Sequence, residues 1–356
     1  MQSTANTSAQ IPKEYPSDTS GPAGLCSSAE QRLLTDDILE YLRRDDNLTS
    51  LAEALRADER LVADRLKTLD ESQMHLCRQG MELRRDVQLG DIQKTALLAL
   101  AMRADEASRT NPRIKDEKAA EILAALEVNY DDLARELGFD LKGYDLFLSH
   151  ECIVARAIMF GETLRKLIAQ YPDAACINLG CGLDDKFSQV DNGAIEWFDV
   201  DLPDQIELRR HFFQDRPRCT MVCGDALDGT WTACVPKDRM AIICMEGVLE
   251  YFTKEQTATC LHTLRDSFEH GYLVAEMNSM AMVEHARKHG STLGDGEAPF
   301  KWGTTSGQEF VALEPRMRLL SEHSYNEEIR KHSERGRFFA DSPYRDLNNR
   351  IAVFSW

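Results

Sequence analysis

The run CINLGCGLDD, Cys176 to Asp185, carries an apolar, strand-forming segment straight into two glycines that flank a single residue. About 20 residues on comes a second apolar segment that stops at acids, EWFDVDLP, Glu196 to Pro203. A strand ending in a glycine turn lets backbone N–H groups approach a ligand closely, and an acid at the tip of the next strand can accept both hydroxyls of a ribose. The pairing points to a nucleoside-containing cofactor held at the edge of an α/β sheet.

A dinucleotide site needs a third glycine three residues after Gly182, so that the following helix packs tightly and its N-terminus meets a pyrophosphate. That position is Asp185, beside Asp184. Two carboxylates at the mouth of the turn repel a pyrophosphate, which disfavours NAD and FAD, whereas a cationic sulfonium cofactor meets no such objection. No GxxxxGK[ST] run is present, which removes the commonest ATP-binding loop.

Around this centre the pattern alternates strand and helix. Strands are expected near Ala175 to Leu179, Ile195 to Val200, Thr220 to Val222, Met240 to Met245, Tyr272 to Glu276, Arg318 to His323 and Ile351 to Phe354. Seven strands with helices between them suit an α/β sheet. A glycine-rich segment, 279–310, interrupts the alternation and is expected to be a lid or substrate-side insertion. Upstream, residues 91–170 read as a helical cap, and residues 29–90 as short amphipathic helices followed by an alternating run, Met74 to Val87, which together suggest a winged-helix-like domain. Residues 1–28, rich in Ser, Thr, Pro and Gly, have too little apolar content to offset chain entropy and are expected to be a disordered tail.

The chain of 356 residues has 60 acidic and 42 basic side chains, a net charge of −18. Such a field disfavours phosphate backbones and anionic lipid surfaces. The helix that would enter DNA in a winged helix mixes Glu59, Asp64, Asp70 and Glu71 with Arg60, Arg65 and Lys67, so it lacks a basic stripe. No nucleic-acid partner is expected, and the domain is read as a dimerisation module for a possible homodimer. No stretch approaches the ~18 apolar residues of a membrane span, and a signal-peptide pattern is absent, so the expectation is a soluble cytoplasmic protein. The ten cysteines are scattered without a CxxC pair or a neighbouring His cluster, which argues for reduced thiols and no metal site.

Five segments in order, NLGCGLDDKF (Asn178 to Phe187), FDVDLP (Phe198 to Pro203), CGDALD (Cys223 to Asp228), CMEGVLEYF (Cys244 to Phe252) and FKWGTT (Phe300 to Thr305), resemble the leucine carboxyl methyltransferase group of S-adenosylmethionine-dependent enzymes, and most of all its polyketide O-methyltransferase branch. The resemblance runs from about Lys94 to the C-terminus. It implies a Rossmann-like seven-stranded methyltransferase sheet, the last strand antiparallel, and S-adenosyl-L-methionine as cofactor. By the same resemblance Gly180, Cys181 and Gly182 pass under the methionine part, Asp201 takes the ribose hydroxyls with Asp199 as the competing choice, and Asp225 and the Ala226 N–H meet the adenine. Glu246 lies near the sulfonium and amino group. Arg156, 24 residues before Gly180, answers the cofactor carboxylate, with Arg103 as a second cation. Where the family carries Thr-Arg after Leu-Asp, this chain has Asp185-Lys186, which keeps the charge without the planar fork.

Methyl transfer is a displacement accelerated mainly by positioning and by desolvation of the nucleophile. A carboxylate acceptor needs no base, whereas a hydroxyl does. His150 and Tyr251 are the candidates for that role, and Glu151 and Glu250 are also near in sequence. The expected activity is O-methylation of a hydroxyl or carboxylate of a small molecule in secondary metabolism. The alternatives are carboxyl methylation of a protein C-terminus and a non-catalytic, cofactor-sensing regulator acting through the winged helix.

Overall fold

The computed structural model describes residues 91–126, 128–137, 139–141, 144–289 and 300–356. The expected tail, 1–28, and winged-helix-like domain, 29–90, lie outside these residues, as does 290–299 of the expected lid.

Seven strands form one sheet: β1 (Ala175–Leu179), β2 (Glu196–Asp201), β3 (Cys219–Cys223), β4 (Ala241–Met245), β5 (Gly271–Met277), β6 (Arg318–Ser324) and β7 (Arg350–Ser355). Each matches a strand expected from the sequence to within one residue at either end. Their order is β3-β2-β1-β4-β5-β7-β6. The first five are parallel, while β7 runs antiparallel to both β5 and β6. Every residue of β1 and β4 is buried, the continuous apolar character of parallel strands covered on both faces. From β1 the chain builds outward through β2 and β3, then returns to lay β4 on the other side of β1. At such a reversal the connections leave in opposite directions, and a crevice opens beyond the carboxyl ends of the two strands.

Among the described residues four helices precede the sheet: α1 (Asp91–Ala107), α2 (Glu117–Ala125), α3 (Tyr130–Glu136) and α4 (Tyr144–Gln170). Seven more follow: α5 (Lys186–Val190), α6 (Pro203–Arg210), α7 (Lys254–Ser267), α8 (Met280–His289), α9 (Gln308–Leu313), α10 (Asn326–Ile329) and α11 (Glu334–Asp341). Asp116 starts α2 because one carboxylate oxygen accepts the Ala119 N–H, and its other oxygen takes Arg103 of α1 at 2.8 Å. One side chain thereby caps a helix and pins its neighbour.

Leu97, Leu100, Ala101 and Met102 of α1 pack with Ile122 and Leu133 in a cluster that also contains Cys181 and Leu183 from the glycine turn, and Ile206, Phe212 and Phe213. The cap is therefore seated on the turn that the sequence singled out. The 27-residue α4 belongs to two layers. Its later turns place Phe160, Leu164 and Ile168 against Cys176, Trp197, Ile242 and Val274 of the sheet. Around the expected lid, Thr304 donates its N–H to the Asn278 carbonyl and bridges Ser279, which ties the segment after residue 300 to the end of β5.

Candidate active site

The glycine turn takes its shape from backbone geometry. Gly180 has φ +77°, and a Cβ there would lie 2.2 Å from a methyl carbon of Val248, a separation no side chain tolerates. Gly182 has φ +48°, with nothing within 4 Å of where its Cβ would be. The turn thus needs glycine for its backbone at both positions, and it leaves open space above the second. The Gly180 and Cys181 N–H groups donate to the Val200 carbonyl at 2.8 and 3.2 Å. The Cys181 side chain is buried in the cap cluster, so this residue offers the crevice only its backbone.

Asp201, at the tip of β2, accepts the Gly182 N–H at 2.7 Å and the Leu202 N–H at 2.8 Å. Burial raises its carboxyl above the ordinary range, and those two N–H groups partly offset the rise. An ionised carboxylate has about four lone-pair sites, so acceptor capacity remains for two hydroxyls. Asp199, two residues earlier, is placed differently. Its carboxylate is 2.7 Å from Arg209 and accepts the Trp197 indole N–H at 2.8 Å. Arg209 also donates to the Gly182 carbonyl at 2.9 Å, so Asp199 acts through Arg209 to brace the turn.

Asp225 follows β3 and turns the chain by accepting the Leu227 N–H at 2.8 Å, with Ala226 buried beside it. Gly224 allows this close approach, since a Cβ there would lie 2.4 Å from the Trp231 side chain.

At the ends of β4 and β5 runs a chain of alternating charge. Lys186, only 2 % exposed, sits 2.9 Å from Asp184 and 2.8 Å from Glu246. Glu246 in turn lies 2.9 Å from Arg156 of α4, and Arg156 reaches Glu276 at 3.0 Å. Glu276 also accepts the Gly247 N–H and the Asn349 amide, both at 2.9 Å. Burial alone would push Glu246 up, but Lys186 and Arg156 outweigh it and hold the carboxylate below its usual range. Burial likewise opposes the charge on Lys186, and Asp184 and Glu246 overcome it, so the ammonium is held protonated. Arg103 joins from the cap side: burial disfavours its charge, and Asp184, Asp116 and Glu246 restore it.

The two residues expected as bases are placed apart from one another. His150 lies between cap helices, with Nε2 3.3 Å from Asp105 and 3.2 Å from Arg109. Burial lowers its tendency to hold a proton, but hydrogen bonds with Asp105 and Glu151 raise it above the usual value. Its neighbour Glu151 makes a two-point contact with Arg113, 2.7 Å at each end, and is held at about 2 against the opposing effect of burial. Tyr251 lies on the 3-10 turn Leu249–Tyr251 after β4, and burial followed by Glu250 raises its phenol well above the ordinary value.

Sequence reasoning missed Lys186 as a link between two acids, Arg209 as the brace, and Glu276 as partner of Arg156. Glu276 alone left a signal, an acid at the carboxyl end of an apolar strand. Lys186 was legible only as a departure from the family pattern.

Residues 96–265 match the leucine carboxyl methyltransferase family. This region belongs to that family. The chain is accordingly an S-adenosylmethionine-dependent methyltransferase. Among relatives, the tetracenomycin polyketide synthesis O-methyltransferase TcmP of Streptomyces glaucescens is 25% identical over 239 residues, covering 67% of this chain and 84% of its own length. The S-adenosyl-L-methionine-dependent methyltransferase dpfgK of Gibberella zeae is 25% identical over 192 residues, covering 51% of this chain and 63% of its own. Among solved structures, the magnesium protoporphyrin IX methyltransferase of Synechocystis PCC 6803 with bound SAH has a TM-score of 0.40 at 10% identity, covering 64% of this chain and 93% of its own. The crevice fits the cofactor on its own geometry: open space over Gly182, a carboxylate with spare acceptor capacity at Asp201, and a surplus of acids suited to a sulfonium and an amino group. Among the described residues no group of three or more His, Cys, Asp or Glu could hold a metal ion, and no helix is long and apolar enough to cross a membrane.

Proposed function

We propose that the chain transfers a methyl group to an oxygen atom of a small molecule. The observation that carries this reading is the match to the tetracenomycin O-methyltransferase across most of that relative's length, supported by a crevice that gathers Gly180, Gly182, Asp201, Glu246 and Arg156. S-adenosylmethionine, when bound, supplies a methyl carbon on a cationic sulfur. Asp201 would accept the ribose hydroxyls, Asp225 and the Ala226 N–H would meet the adenine, and the Gly180–Gly182 turn would lie under the methionine part. Arg156 would turn part of its guanidinium to the cofactor carboxylate while Glu246 and Glu276 fix its plane, and the same acids favour a cationic centre in front of them. The cap seated on Cys181 and Leu183 excludes water from that face, which strengthens each of these contacts.

Thermal unfolding with and without S-adenosylhomocysteine tests the cofactor roles. At about 100 times its Kd the ligand should stabilise the fold by roughly 2.7 kcal/mol, and Asp201→Ala should lose most of that gain. Transfer of a labelled methyl group from the cofactor to hydroxylated aromatic compounds tests the rest. A product stable in alkali is an ether, labelled methanol released in alkali marks a methyl ester, and transfer to no oxygen of any small molecule offered would overturn the reading.

A further inference from the structure

A glycine has no side chain to restrict its rotation, so its conformation in a turn is set by whatever holds its N–H and its carbonyl. Gly182, at φ +48° and with nothing within 4 Å of where its Cβ would be, is held at both. Its N–H donates to the Asp201 carboxylate at 2.7 Å, and its carbonyl accepts an N–H of Arg209 at 2.9 Å. Arg209 stands 27 residues further along the chain, on α6, and is only 1 % exposed. Two side chains from different elements therefore fix one residue of the turn.

Arg209 is itself held at two further points. A second N–H of its guanidinium donates to Asp199 of β2 at 2.7 Å, and the guanidinium carbon lies 3.9 Å from the centre of the Phe213 ring. Lys118 of α2 places its ammonium 5.2 Å from the centre of the same ring, so the cap and the segment after α6 meet at Phe213. Asp199 is buried and fully engaged. Besides Arg209 it accepts the Trp197 indole N–H at 2.8 Å and the Asn178 amide at 3.3 Å, and the Cys219 thiol lies 3.7 Å from one of its oxygens. Those contacts use the roughly four lone-pair sites of a carboxylate, which leaves Asp199 nothing to offer a sugar. An arginine suits the position, because its planar fork reaches an anion and a carbonyl at once while its face lies on an aromatic ring.

Resting on the cofactor reading above, in which Asp201 takes the ribose hydroxyls, we propose that Arg209 is the positioning residue for ribose recognition. Asp199 sets Arg209, Arg209 sets the Gly182 carbonyl, and the Gly182 N–H sets one oxygen of Asp201, whose other oxygen accepts the Leu202 N–H at 2.8 Å. The plane of the Asp201 carboxylate is thereby fixed before a ligand arrives, and hydroxyls that meet it require no reorganisation. Without Arg209 the glycine is free to turn, and the N–H that aims Asp201 turns with it. A carboxylate left free to rotate must then lose that freedom on binding, which weakens the contact. In the same reading the adenine is met by Asp225 and Ala226, and the cofactor carboxylate by Arg156, all on other elements. Loss of Arg209 should therefore be felt at the sugar.

The test is isothermal titration of the full chain with S-adenosylhomocysteine and with its analogue in which hydrogen replaces both ribose hydroxyls. The wild type should bind the analogue on the order of a hundredfold more weakly. Equal affinities would remove the ribose role of Asp201, and the proposal with it. Arg209→Lys keeps a cation for Asp199 without the planar fork. It should weaken S-adenosylhomocysteine by on the order of tenfold and the analogue by less than about twofold. In the Asp201→Ala background it should add nothing, because the positioning acts through that carboxylate. Should Arg209→Lys not fold, Asp199→Asn, which takes the anion away from Arg209, should show the same selective loss. An arginine that only supports the fold would weaken both ligands equally, or add its full effect to that of Asp201→Ala. Either result, or an unchanged affinity for S-adenosylhomocysteine, would overturn the role of Arg209 and leave Asp201 as the ribose acid.

Discussion

Two buried ionic networks lie within the described residues, one inside the cap and one at the carboxyl edge of the sheet, and they are built to different rules. In the cap, Arg113 is clamped between Glu106 and Glu151 by two-point contacts, and His150 fills in beside Asp105. Every acid there has a cation, and the network closes on itself. At the sheet edge the alternation runs from Asp184 through Lys186, Glu246 and Arg156 to Glu276, and Glu250 on the turn after β4 makes no ion pair among the described residues. A closed network resists change because removing any member strands a buried charge. An open one retains the capacity to answer a charge brought in from outside, which is what a site needs.

The most damaging way to break this contrast is Arg156→Met. It leaves Glu276 without a cation and Glu246 with Lys186 alone, so a loss of about 3–5 kcal/mol in stability is expected, and the rise in melting temperature caused by S-adenosylhomocysteine should vanish as well. Arg113→Met leaves Glu151 without its two-point partner and Glu106 with Arg109 alone, but touches only the cap. Its cost should be somewhat smaller because Arg113 retains 16% side-chain exposure, and the ligand-induced rise should survive; losing it would mean that the two networks are coupled. Gly180→Ala forces a Cβ against Val248 in a left-handed backbone, with an expected loss of about 1–3 kcal/mol and weakened ligand binding, read by denaturation and by titration with the ligand.

The smallest effect distinguishes the networks by pH. Glu151 is depressed to about 2, so the stability it contributes is complete above its unfolded value, near 4.5, and is lost as pH falls from there towards 2. Burial and Glu276 push Glu250 up to about 8, so the native state holds a proton that the unfolded state has released between about 4.5 and 8, and stability declines as pH rises through that window. Melting temperatures measured from pH 3 to 9, a range set by about one unit around those two values, should show Glu250→Gln abolishing the decline towards high pH and leaving the acid limb unchanged. An acid limb that moves with Glu250→Gln would contradict the separation of the two networks.

The seven strands were legible because each is a short apolar run bounded by turn residues, and burial on both faces of β1 and β4 leaves little choice of pattern. Asp201 and the glycine turn were legible because backbone φ and strand-end position are local properties, set by residues a few places apart. Asp199 was not separable from Asp201 by the same logic. Arg209, arriving from α6, gives Asp199 a cation, whereas Asp201 accepts the Gly182 and Leu202 backbone N–H groups. The two candidate bases show the same limit: His150 and Tyr251 were near the right elements in sequence, but whether each could accept a proton depended on Asp105, Glu151 and Glu250, which reach them across space or around a turn.

By itself, then, the amino-acid order determined the sheet, the glycine turn and the class of cofactor, since apolar periodicity, φ preference and motif spacing act over a few residues. Tertiary structure alone decided which charges meet. Lys186 and Glu246 are 60 positions apart, and Arg156 and Glu276 are 120 apart. An ion's proton affinity follows the charges within several ångströms and the water excluded around it, and chain order records neither of these until the fold has closed.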